Sequence, residues 1–209
     1  MRVGALLLLG SLFAATASAD DRPPTFAIRP FFLFAEQSFA AVDTFDATFG
    51  HSYGPFFGGG GQVVIHDRFV VEVSASRFQE DGQRAFLSNG VSYPLGIPLT
   101  ATITPIEVTA GYRFRLSSRV RPYVAAGVGT WSYKETSSFA DPGDNVDTRH
   151  VGWVVNGGAE FRLHRWIGLA VDAEYSHVPG ILGQGGISQQ AGESDLGGVA
   201  GRFKVIIGR

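Results

Sequence analysis

From Val151 to His177 the side chains change character at every second position. Val151, Trp153, Val155, Gly157, Ala159, Phe161 and Leu163 form an apolar series, and His150, Gly152, Asn156, Gly158, Glu160 and Arg162 a small or polar one, interrupted by Val154. After His164-Arg165-Trp166 the pattern returns, with Ile167, Leu169, Val171, Ala173 and Tyr175 against Gly168, Ala170, Asp172, Glu174 and Ser176. Period two marks a β-strand, because successive side chains point to opposite faces of a sheet. Two such runs around a three-residue break predict a hairpin.

The same period recovers eight strands, at about Phe26–Glu36, Tyr53–Ile65, Phe69–Phe78, Ala101–Leu116, Val120–Tyr133, Val151–Leu163, Ile167–Ser176 and Leu196–Ile207. Pro30 lacks a ladder donor, so a bulge is expected in the first strand. Three connections are short: His66-Asp67-Arg68, Leu116–Arg119 and His164–Trp166. Gln37–Ser52, Gln79–Leu99, Glu135–Thr148 and Val178–Asp195 read as long polar loops. In an antiparallel meander, alternate connections lie at the same end, so short turns fall at one end and long loops at the other.

The less apolar faces collect the charges. Their acids are Glu72, Glu107, Glu160, Asp172 and Glu174; their bases are Arg29, Arg113, Arg115, Arg121, Arg162, Arg202 and Lys204, seven against five. The other faces carry almost no charge between strand ends. An even strand count, one bare apolar face and sorted connections predict an all-β fold: an eight-stranded antiparallel up-and-down transmembrane β-barrel. Aromatic residues gather near both strand ends, as two membrane interfaces favour: Phe26, Phe69, Phe114, Phe161 and Trp166 at one, Phe34, Tyr53, Trp153 and Tyr175 at the other. The alternative is a soluble lipocalin-like ligand-binding barrel of reversed polarity, with the apolar faces lining a cavity.

Composition agrees with the membrane reading. Charged residues are only 17% of 209, against 44% hydrophobic, and there are 28 Gly. With no Cys, disulfides, thiolate zinc sites and cysteine nucleophiles are excluded. A net charge of −2 argues against nucleic acid. Lysine occurs at Lys134 and Lys204, so most positive charge is arginine, which suits crowded paired settings. Arg2, the apolar run from Ala5 to Ala15 and Ala17-Ser18-Ala19 predict a secretory signal peptide over residues 1–19, with a barrel domain over 20–209.

Arg121-Pro122-Tyr123-Val124-Ala125-Ala126-Gly127-Val128-Gly129 resembles the signature segment of small bacterial outer-membrane β-barrel proteins. Gly157-Gly158-Ala159-Glu160-Phe161-Arg162, with the turn and Leu169–Tyr175, resembles their penultimate hairpin. The resemblance implies the cell outer membrane, contact with its lipid, and insertion by the barrel assembly machinery. It implies little about activity, since the family includes structural barrels, adhesins, small channels and a few lipid-modifying enzymes. Its members usually end on an aromatic residue; this chain ends Ile206-Ile207-Gly208-Arg209, which leaves Phe203 and Ile207 to carry the assembly signal.

Twelve charged groups inside so narrow a barrel should pair. They predict a lumen network that plugs the barrel; the excess of bases offers instead a narrow porin-like channel. No enzyme, metal or cofactor is expected. Ser176 and His177 are adjacent on a strand and point apart. The lipid A deacylases of this fold are similar around Asp172 and Glu174, but carry Ser two residues after His, where this chain has Pro179. His51, His66, His150 and His164 show no metal-ligand spacing, and Gly58–Gly61 lacks the Lys-Ser/Thr of a phosphate loop. Asp141-Pro142-Gly143-Asp144-Asn145 reads as a solvated loop tip. Phe86, Leu87, Tyr93 and Leu95 give the second long connection apolar content, which suggests an extracellular partner. A structural or surface-interaction role is the expectation.

Overall fold

The computed structural model describes residues 26–88, 91–137, 139 and 145–208. The expected signal peptide and residues 141–144 of the acidic loop tip lie outside the described residues. The strands are β1 (Phe26–Phe39), β2 (Tyr53–Ile65), β3 (Phe69–Ser88), β4 (Val91–Arg113), β5 (Val120–Thr136), β6 (Val146–His164), β7 (Ile167–His177) and β8 (Gly198–Ile207). Helix α1 (Val42–Phe49) lies between β1 and β2, and α2 (Gly186–Ala191) between β7 and β8.

Every strand pairs antiparallel with its neighbour in sequence, and β8 returns to β1 through Phe31↔Ile206 and Phe34↔Phe203. The ring therefore has no edge, which is what lipid demands of a sheet. No described helix is long and apolar enough to cross a membrane, which says nothing of the strands. Ile28, Phe32, Val73, Val108, Val128, Val171 and Val199 are exposed on the outer wall, whereas Arg29, Glu72, Glu107, Asp172 and Arg202 are buried. The apolar faces thus point outward, and the soluble reading is overturned. Phe69, Tyr112 and Phe114 pack edge to face at the turn end, and Phe34 with Phe57 and Trp153 with Tyr175 pack at the loop end. Such belts sit at membrane interfaces.

Three expectations about the connections change. Gln79–Leu99 is not an irregular loop: β3 and β4 run 20 and 23 residues and stay paired out to Ser88↔Val91. A tilted strand needs about 9–11 residues to cross the bilayer, so this hairpin projects well beyond it. Outside lipid the apolar-polar alternation is no longer required, and Pro94 and Pro98 sit beside the irregularity between Gln83 and Ala85. Gln37–Ser52 and Val178–Asp195 contain α1 and α2. The bulge expected at Pro30 is absent: pairing with β2 runs unbroken through Pro30↔Gly61. The β8 ladder begins only at Phe31, which leaves the proline a free edge.

Two inward glycines let neighbouring strands close up. A Cβ at Gly127 would lie 2.0 Å from the Val108 carbonyl oxygen, and one at Gly60 equally close to that of Val73. Curvature that tight needs glycine.

Candidate functional site

The interior is built in two storeys. Toward the turns, β1 and β6 bring Arg29 and Glu160 face to face, Nη1–Oε1 2.7 Å and Nη2–Oε2 2.8 Å. This is the two-bond fork that guanidinium and carboxylate make best. Arg113 of β4 donates to the same Glu160 Oε2 at 2.8 Å. Below them lies Asp67, in the β2–β3 turn, where both His66 and Asp67 adopt left-handed backbone (φ 49° and 59°). Two such residues make the turn that hairpins favour, and aspartate tolerates the conformation better than most. The turn places the Asp67 carboxylate against Arg121, 3.8 Å from Arg113 and 3.4 Å from Arg115.

One layer higher, Arg202 Nε donates to Asp172 Oδ1 at 2.5 Å and Nη1 binds Glu174, with Glu107 3.7 Å away. Tyr123 donates its hydroxyl proton to the other Asp172 oxygen. Ser74 donates to Glu107 at 3.3 Å. Lys204 Nζ donates to Glu72 at 2.6 Å, lies 3.5 Å from Asp172, and sits over the rings of Phe31 and Tyr123. Only 1% of its side chain reaches solvent. Isolated charges at that depth would be expensive; paired and hydrogen-bonded ones are tolerable.

Placement corrects the expected set at two positions. Arg115 has a side chain 52% exposed, and Arg162 is exposed too; both stand on the turn-end rim, outside the lumen. Face alternation assigns a side but does not locate the strand's exit from the barrel. Among the described residues, the lumen then holds Arg29, Arg113, Arg121, Arg202 and Lys204 against Glu72, Glu107, Glu160, Asp172 and Glu174, with Asp67 of the turn below as a sixth acid. The excess of bases that motivated a narrow porin-like channel disappears.

Above the charges the inward positions become apolar, which the sequence reading missed. Phe39, Phe56, Phe78, Ile103, Trp131 and Val154 fill the loop end together with Phe45 of α1 and Ile181 and Leu196 of the last connection. Phe39 stacks on Phe45 at 3.9 Å, and Phe78 lies edge-on to Phe39 at 5.4 Å. Helix α1 buries Thr44, Phe45 and Thr48 against the barrel and ends on Gly50, whose left-handed φ of 82° lets its N–H reach the Asp46 carbonyl. Ala41 gives its start no side-chain cap; the Glu193 carboxylate supplies one from the far connection. It accepts from Asp43 N at 3.0 Å, Thr44 N at 2.8 Å and Thr44 Oγ1 at 2.6 Å. Gln190 accepts from Leu87 N at 2.7 Å, so the same connection also holds β3.

The chain matches the family described as outer membrane protein beta-barrel domain over residues 5–197. The chain belongs to that family. It is an outer-membrane barrel protein, and its apolar wall is the face that lipid covers. Neisserial surface protein A is similar with a TM-score of 0.52 at 14% identity, over 89% of this chain and 98% of that one, a likeness of fold. The heparin-analogue complex of Ail, the attachment invasion locus protein of Yersinia pestis, gives a TM-score of 0.48 at 15% identity, covering 87% and 94%. The N-terminal barrel domain of Pseudomonas aeruginosa OprF gives 0.49 at 12%, covering 86% and 96%. No curated protein matches the sequence.

Around the strand ends, Ser176 is buried inside, while His177 faces out beside Trp153, with Nδ1 2.6 Å from Asp195 Oδ2. Asp195 Oδ1 accepts from Val178 N at 2.7 Å and Gly197 N at 2.9 Å, so the pair staples the end of β7 to the start of β8. No group of three or more metal-ligating side chains occurs among the described residues. Asp67 and Tyr123 were missed as members of the network. Asp67 lies in a turn, where alternation assigns no face, and Tyr123 has the parity of Arg121 but carries no charge, so a search for charged groups passes over it.

Proposed function

We propose that this outer-membrane protein is a closed barrel that works through its extracellular surface, with the β3–β4 hairpin as its contact element, and that it is not an enzyme. The observation that carries the reading is the contrast between the two ends of that hairpin. At its base Phe78, Leu99, Ala101 and Ile103 are sealed into the cap; toward its tip Phe86, Val91, Tyr93 and Leu95 are 42–53% exposed. Phe86 and Tyr93 pack together with ring centroids 5.6 Å apart. Exposed aromatics on a paired, well-anchored scaffold are the kind of anchors that protein interfaces use. A hairpin held by Gln190 and α1 also loses little freedom on binding.

A porin-like function has two obstacles to overcome, the paired charges and the apolar cap above them. Delivery by the barrel assembly machinery would rest on Phe203 and Ile207, which both point outward on β8.

Adherence to an epithelial monolayer tests the reading, using cells that display the whole chain and cells whose protein has residues 84–95 replaced by Asn-Gly. Loss of adherence in the trimmed protein, with the barrel still folded in an unheated gel, is the expected result. Adherence equal to that of the intact protein contradicts it.

A further inference from the structure

The turn end carries a crown of arginines with almost no acid to answer it. Arg68, Arg115, Arg119, Arg162 and Arg165 are all exposed there, and Asp67 is the one acid in the three turns. That acid is already taken by Arg121, Arg113 and Arg115. Backbone hydrogen bonds join the turns into one rim: Arg113 N to the Arg68 carbonyl at 2.6 Å, and Arg162 N to the Arg119 carbonyl at 2.8 Å. The loop end differs, with Asp43, Asp46, Asp81 and Asp147 exposed.

We infer that this crown binds the phosphates of anionic phospholipids in the periplasmic leaflet. Interleaving with apolar side chains selects that occupant over a soluble anion. Phe114 and Leu116 flank Arg115, and Leu163 and Trp166 bracket Arg165; all four are 47–72% exposed on the wall that lipid covers. Side chains that enter the acyl region hold their arginine neighbours at headgroup depth. Short turns face the periplasm in barrels of this kind. The guanidinium fork matches two phosphate oxygens, and clustered basic residues beside a membrane select anionic headgroups.

Electron spin resonance on the refolded whole chain in phosphatidylcholine vesicles tests this, using spin-labelled phosphatidylglycerol and phosphatidylcholine as probes. The protein-bound, motionally restricted fraction should favour phosphatidylglycerol by about threefold to tenfold at low salt and converge at ~1 M salt. Combined Arg115→Gln, Arg119→Gln, Arg162→Gln and Arg165→Gln should abolish the preference; Arg77→Gln with Arg149→Gln, at the loop end, should leave it intact. The unheated-gel shift reports folding. If the fourfold variant does not fold, Arg119→Gln with Arg165→Gln should reduce the preference. Equal restriction of both lipids by the unaltered chain overturns the inference. So does a preference that survives the turn-end substitutions or disappears with the loop-end pair. Displacement by inorganic phosphate at constant ionic strength would mean a site for free anions and would overturn it as well.

Discussion

Arg29 and Glu160 meet inside the barrel through two parallel hydrogen bonds of 2.7 and 2.8 Å, although 131 positions separate them in the chain. Glu160 also accepts from Arg113, so one carboxylate ties two buried guanidinium groups together. Glu160→Gln leaves Arg29 without its counter-charge and Arg113 with only Asp67 at 3.8 Å, and should destabilise the barrel by about 3–5 kcal/mol. The urea midpoint in detergent micelles reads this loss. Replacing the set by Arg29→Met, Arg113→Met and Glu160→Leu should restore most of it, because apolar groups of similar volume leave nothing unpaired.

Close strand approach sets a second expectation. Gly127→Val should prevent folding, since its Cβ would sit 2.0 Å from the Val108 carbonyl oxygen. Gly201 faces lipid with nothing within 4 Å of such a Cβ, so Gly201→Ala should fold normally. Folded fractions in an unheated gel separate the two; equal yields would contradict the strand packing described above.

The cap over α1 is supplied by Glu193 across the loop end. Removing a helix cap costs about 0.5–2 kcal/mol. Glu193→Ala should therefore speed amide exchange at Asp43 and Thr44 by roughly tenfold, the equivalent of about 1.4 kcal/mol. Amides in the middle of β6 and β7 should not change. Exchange that rises throughout the barrel would show that α1 is not a separately opening unit.

The membrane-spanning part of this fold is legible because lipid forces alternation: Val151–Leu163 and Ile167–Ser176 can be assigned residue by residue, and so can the inward position of Arg202 and Lys204. Legibility stops where lipid does. Beyond the bilayer the interior packs like a soluble core, so Phe39, Phe78 and Trp131 point inward on the side that carries the charges lower in the barrel. Gln79–Leu99 contains glycine and proline that read as loop, yet cross-strand pairing carries it as strand. Arg115 and Arg162 have the parity of lumen residues but stand past the rim. The cap that Glu193 gives α1 joins residues about 150 apart and leaves no local trace in the sequence.

Phe45 is the apolar bolt of the cap, stacked on Phe39 and 1% exposed. Phe45→Ala should cost the cap about 3–5 kcal/mol of packing. Residues 40–52 should then be cleaved by added protease in intact vesicles, with β1 to β8 protected. Resistance equal to that of the unaltered protein would mean that α1 does not depend on this contact.

Planar-bilayer conductance of the refolded chain tests the closed barrel most directly. With every base of the lumen paired to an acid under the apolar cap, the expected trace shows insertion and no discrete steps, and Phe45→Ala, which loosens only the cap, should also stay silent. Reproducible steps whose ion selectivity changes on Arg202→Glu would contradict it, and would make the charged storey the lining of a pore.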